Sequence, residues 1–145
     1  MGFIAQVGGP VLQAYGAYKE GKDTAKAYKY NEAVMEREQE MIRRSNEMRN
    51  QQVSRAKGKM AGKQHALYAK SGVVTTSGSP YEVMIDTAGQ YEMDKATNSY
   101  NAEVERRRAA AQQAQYGTAA KNAYSAGLTK AGTTLLSAFA KQQGK

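Results

Sequence analysis

At 145 residues the chain has room for one ordinary domain, yet only 41% of it is hydrophobic, with two Phe and no Trp. Ten Tyr, seven Met and many Ala fill the apolar positions, which disfavours a self-sufficient globule and favours long helices that bury their stripes against partners. Without Cys, and with one His, disulfides, thiol nucleophiles, zinc–thiolate sites and multi-histidine metal centres are excluded.

Net charge is +8, which points to an anionic partner, either nucleic acid or membrane headgroups. The charge is uneven: residues 1–70 carry a net +6, residues 71–108 a net −2, and residues 109–145 a net +4 with no acid at all.

Residues 1–22 form a Gly/Ala-rich segment whose first 18 positions bear no side-chain charge. No secretory signal is expected, because no basic region precedes its apolar part. Gly8, Gly9 and Pro10 make it a poor spanning helix, so an interfacial or conditionally inserted segment is the membrane option.

Residues 23–70 read as one long basic helix with Asp23 or Thr24 as N-cap. Ala27, Val34, Met41 and Met48 recur every seven residues, and Val53, Met60 and Leu67 repeat the spacing in a shifted phase. This is a heptad stripe with a phase break. Val34, Met41, Met48, Met60 and Leu67 are therefore the candidate packing residues of a homo-oligomer. No acid occurs between Glu47 and Glu82, so Arg49, Arg55, Lys57, Lys59 and Lys63 are candidate contacts to DNA phosphate.

Residues 71–79 break the helical pattern as a Gly/Ser loop. At its end Ser79-Pro80-Tyr81-Glu82 predicts a helix start, with Ser79 as N-cap, Pro80 at N1 and Glu82 closing a capping box. The second long helix is predicted over residues 80–116, followed by an Ala/Gly-rich amphipathic segment over 117–145. In that last segment Leu128, Leu135 and Phe139 share a face, and the charges are all positive. With Phe3 and Ile4 at the other end, they are the candidate membrane contacts. The expected fold is all-α: an antiparallel hairpin of two long helices with short amphipathic terminal helices, assembling as an oligomeric ring.

No catalytic constellation emerges. Gly58-Lys59-Met60-Ala61-Gly62-Lys63-Gln64 has too short a glycine spacing for a phosphate loop, and Gln64 stands where Ser or Thr would hold magnesium. Asp86, Gln90 and Asp94 share a face with Glu82, but acids in the first turns also favour the positive helix end. His65 has no acid or nucleophile at helical spacing. No enzymatic activity, cofactor or metal site is expected. The tyrosines suit packing better than base stacking.

Ser71-Gly72-Val73, Ser77-Gly78-Ser79-Pro80, Val83, Asp86-Thr87-Ala88, Glu92, Asp94 and Asn101 together resemble the internal virion (core, ejection or DNA-transfer) proteins of short-tailed phages. The match covers about residues 60–108, with Ser79, Pro80, Glu82 and Asp86 in its loop-to-helix motif. The resemblance implies a non-enzymatic particle component, packaged inside the capsid near the portal as a ring of copies. Its partners would be other internal virion proteins, portal and tail proteins, and packaged DNA. After ejection it would help build a conduit across the host envelope, as the small member associated with the outer membrane. The chain is short for this family, which implies that part of the usual interaction surface is missing or supplied by other proteins. The alternatives are a helical DNA-binding or scaffolding protein, and a tail-adaptor component without membrane activity.

Overall fold

A computed structural model describes the backbone of residues 3–74 and 76–143, and the side chains of 8–74 and 76–141. The described residues form two long helices that pack antiparallel, α1 (Phe3–Lys70) and α2 (Ser79–Gln143). The chain divides into two compact units. Met1–Arg37 and Ala109–Lys145 make a terminal unit, and Glu38–Arg108 make a loop unit.

The helices are longer than the sequence pattern predicts. No separate terminal helices exist among the described residues: α1 already runs from Phe3, and α2 continues through Gly117 to Gln143. A glycine inside a helix costs about 1 kcal/mol relative to Ala, and tertiary contact overrides that penalty here. Pro10 also sits inside α1.

In the terminal unit the seam on α1 is Ala14, Ala17, Gly21, Ala25, Tyr28 and Met35, each buried or half-buried. On α2 it is Ala109, Gln113, Tyr116, Ala120, Ala123 and Gly127. Among the described residues the five buried apolar side chains all lie here, and all five are alanines, down to 2% exposure at Ala120. Small side chains let the backbones meet. A Cβ added to Gly21 would stand 2.6 Å from Gly127 Cα and 2.8 Å from the Ala123 carbonyl oxygen. Tyrosines fill the wider levels: Tyr18 meets Tyr124 edge-on at 6.3 Å, and Tyr28 meets Tyr116 at the same distance. Positions 14, 21, 28 and 35 repeat every seven residues, the period of a left-handed supercoil.

In the loop unit the seam keeps a different period. Ile42, Val53 and Gln64 on α1, and Pro80, Tyr91 and Ala102 on α2, are half-buried and recur every eleven residues. An eleven-residue repeat is that of a right-handed supercoil. Between these positions the seam is largely polar, with Asn46, Asn50 and Lys57 on α1 and Thr87, Lys95 and Asn98 on α2.

The turn between the helices is fixed by two glycines. Val73 N–H donates to the Tyr68 carbonyl (3.0 Å) and Gly72 N–H to that of Ala69 (3.2 Å), a Schellman ending with Gly72 at φ +69°. Only glycine takes that backbone conformation without steric cost. Gly78, at φ +74°, opens α2: its carbonyl accepts from Tyr81 N–H (3.0 Å) and Glu82 N–H (3.2 Å). The cap therefore lies one residue earlier than predicted. Ser79 is the first helical residue and Pro80 the second, and no side-chain hydrogen bond joins Ser79 to Glu82 among the described residues. The helix starts on backbone geometry at Gly78 rather than on a serine hydroxyl.

Candidate functional site

The site-bearing region is the loop unit, because its side chains are divided between a polar seam and an apolar and charged exterior. Across the seam Asn50 Nδ2 donates to Ser99 Oγ (3.1 Å), Lys57 Nζ pairs with Glu92 Oε1 (2.8 Å), and Gln64 Nε2 donates to Thr87 Oγ1 (3.1 Å). These three pairs set the register of the two helices within the unit. Lys57, then the neighbouring Lys95, hold the Glu92 carboxyl below the ordinary range, mainly through the Lys57 hydrogen bond. Two acceptors are left over: the buried Oδ1 atoms of Asn46 and Asn50 have no partner. Such an atom costs stability and restricts the pairing that the helices accept.

A duplicated ion cluster escaped the sequence reading. Glu40 accepts from Arg43 Nε (3.0 Å), Arg43 NH2 (2.9 Å) and Arg44 Nε (2.8 Å). Glu103 does the same with Arg106 Nε (2.9 Å), Arg106 NH2 (3.1 Å) and Arg107 Nε (2.8 Å). The hydrogen bonds from Arg43 and Arg44 hold the Glu40 carboxyl at about 2, and those from Arg107 and Arg106 lower that of Glu103. The signal was legible as Glu-x-x-Arg-Arg, present once on each helix.

The candidate packing residues do not form the seam of the hairpin. Met41 (63% exposed), Met48 and Leu67 (68%) point outward, Met60 is also exposed, and Val34 is half-buried. The seam runs one residue further on, through Tyr28, Met35 and Ile42. The hydrophobic stripe therefore lies mostly on an outer face, open to another chain, while the seam within the chain is made of Ala, Gly, Tyr and polar residues.

Of the candidate phosphate contacts, Lys57 is committed to Glu92, while Arg49, Arg55, Lys59 and Lys63 are exposed. Arg49 borders a shallow groove with Met41, Asn46 and Glu105. Asp86 and Glu82 are exposed on α2 and Pro80 is half-buried.

Among the candidate membrane contacts, Leu128 and Phe139 are exposed, and Leu135 is half-buried. The neighbouring Leu136 is more exposed than Leu128 or Phe139, at 70%. The side chains of Phe3 and Ile4 lie outside the described residues. Gly127 packs on Gly21 of the same chain and is not free for contacts between copies.

Among the described residues no helix is long and apolar enough to cross a membrane, and no group of three or more His, Asp or Glu could hold a metal ion. No family model, curated protein or solved structure matches the chain.

Proposed function

We propose that this protein is a structural component of a short-tailed phage particle, held inside the capsid near the portal as a ring of copies and released to help form a conduit across the host envelope. One observation carries the proposal furthest. The hairpin leaves large apolar side chains outside, Met41, Met48, Met93 and Tyr100 among them, while no large side chain in the described residues is fully buried. A chain built this way completes its burial on other chains. The loop-to-helix segment from Ser71 to Asn101 supplies the resemblance that directs the reading to an ejection protein rather than to any other assembly.

In this role the partners are copies of the chain, other internal virion proteins, the portal and tail, and packaged DNA. After ejection the ends of the chain meet the host outer membrane. Leu128, Leu136 and Phe139 offer apolar surface, and Lys121 and Lys141 attract anionic headgroups, whereas Lys130 is shared with Glu20 (3.6 Å). Contact of this kind lies in the interface or is shared among several copies.

The test is direct. The protein should be present in purified particles and absent from particles emptied by ejection; equal amounts in both would rule out release.

A second reading, a DNA-binding or scaffolding protein, is favoured by the exposed Arg49, Arg55, Lys59 and Lys63 in a stretch without acids. It predicts DNA binding that weakens steeply with salt, and no flotation with liposomes.

A further inference from the structure

We propose that the two outer edges of the loop unit dock on each other between copies: the cationic and methionine-bearing edge of α1 in one copy seats against the acidic and aromatic edge of α2 in the next. The inference rests on the reading of the chain as a homo-oligomer and adds which surfaces meet and in what register.

The edges follow from the seam. A residue two positions beyond a seam residue lies about 200° further round the helix, on the side away from the partner helix. On α1, Met48, Arg55, Lys59, Lys63 and Lys70 stand two positions beyond Asn46, Val53, Lys57, Ala61 and Tyr68. All five are exposed. On α2, Glu82, Asp86, Met93 and Tyr100 stand two positions beyond Pro80, Met84, Tyr91 and Asn98, and are likewise exposed. Met93 and Tyr100 each keep 71% of their surface in water.

The two edges are complementary in order as well as in kind. The pairs Asn50–Ser99, Lys57–Glu92 and Gln64–Thr87 put Met48 level with Tyr100, Arg55 level with Met93 and Asp94, and Lys63 level with Asp86. A second copy set alongside in the same axial position brings Met48 onto Tyr100 at one end. It brings Lys63 and Lys70 around Asp86 and Glu82 at the other. None of Arg55, Lys59, Lys63, Lys70, Glu82 and Asp86 is in an ion pair among the described residues. Each edge thus presents charges that its own chain does not neutralise, in the sequence that the other edge answers.

The surface area agrees. The chain exposes 10994 Å², whereas a compact monomer of 15.8 kDa exposes about 7,300 Å². The difference exceeds what one chain contributes to two standard interfaces, roughly 800 Å² each. Because the α1 edge differs from the α2 edge, the contact is heterologous. It propagates with every loop at the same end, and closes as a ring or runs on as a filament rather than stopping at a two-fold dimer.

The full chain tests this by charge exchange. Lys59→Glu/Lys63→Glu reverses the α1 edge, and Glu82→Lys/Asp86→Lys reverses the α2 edge. In sedimentation velocity at low salt each variant alone should dissociate at concentrations at least about tenfold above those at which the wild-type chain stays assembled. An equimolar mixture of the two should assemble again, since each edge then finds its opposite. Far-ultraviolet circular dichroism of each variant should match the wild type, as all four positions are exposed. If the wild type assembles and both variants assemble equally well, the edge contact is wrong and the homo-oligomer stands. A wild-type chain that stays monomeric overturns both. Were Lys59→Glu/Lys63→Glu to lose binding to duplex DNA while assembling normally, the cationic edge would be a phosphate surface and the docking proposal would fall. Presence or absence of the protein in phage particles bears on the proposed location alone and leaves this result untouched.

Discussion

The terminal and loop units are built from the same two helices on opposite principles. In the terminal unit the helices touch through Ala14, Ala17, Gly21 and Ala25 against Ala109, Ala120 and Gly127, and the contact is backbone-close. Among the described residues of the loop unit no apolar side chain is buried, and the seam is held by Asn50–Ser99, Lys57–Glu92 and Gln64–Thr87. Packing of the first kind is sensitive to a single methyl group, because close-packed backbones have nowhere to move. A polar seam is instead tolerant of small volume changes and sensitive to hydrogen bonding, which makes it the weaker but more selective half. The comparison teaches that one hairpin can be held by close backbone contact in one unit and by hydrogen-bonded register in the other.

The strongest way to break the comparison is to add volume where the backbones meet. Gly21→Val should destabilise the protein by about 1–3 kcal/mol, since its side chain would run into Gly127 Cα and the Ala123 carbonyl. Urea unfolding at fixed protein concentration measures this, and an unchanged midpoint would mean that the helices do not approach there.

A smaller effect of opposite sign is expected at the loop-unit seam. Asn46→Leu removes a buried oxygen without a partner and should stabilise by about 1 kcal/mol, at some loss of pairing selectivity. The same unfolding experiment reads it, and destabilisation would show that the amide has a role beyond its unpaired oxygen.

Gly58→Ala sharpens the contrast between glycines. Nothing stands within 4 Å of an added Cβ at Gly58, so the change should stabilise by about 0.5–1 kcal/mol through helix propensity alone. If it destabilised as Gly21→Val does, spacing at the seam would not be what separates the two glycines.

The smallest effect concerns pH. Glu40 is held at about 2 by Arg43 and Arg44, and Glu103 and Glu92 are also lowered. A depressed carboxyl contributes stability above its unfolded value near 4.5, and that contribution is lost as pH falls through the folded value. Acidification from about pH 4.5 to 2 should therefore remove a minor increment, muted because these groups are solvated. Glu40→Gln should flatten part of that slope in thermal melts recorded across the range; an identical slope would show that the arginine pairs contribute nothing to folding.

Much of the hairpin was legible in residue order. Ser71 through Gly78 carried the turn, because glycines and β-branched residues interrupt the helical pattern, and the two positive-φ positions turned out to be Gly72 and Gly78. The heptad of Val34, Met41 and Met48 was equally visible, but Met41 and Met48 stand on an outer face and Val34 is only half-buried. The real seam was hidden for a physical reason: alanine and glycine give little hydrophobic signal, and Asn46, Asn50 and Lys57 give the opposite one. The terminal segments were misread on similar grounds. The helix end expected at 116 is overrun, since α2 continues through Gly117, and Gly21 and Gly127 are where the two backbones come closest.

The sequence by itself determined the helical class, the place of the turn, the absence of thiol chemistry and the excess of positive charge. These follow from local propensity and composition, which act within a few residues. Only the tertiary structure decided which stripe is inside, that the ends continue the long helices, and that the two units differ in period. Those outcomes depend on what stands opposite each residue. Gly21 matters because it meets Gly127, and Lys57 sits in the seam because Glu92 reaches it.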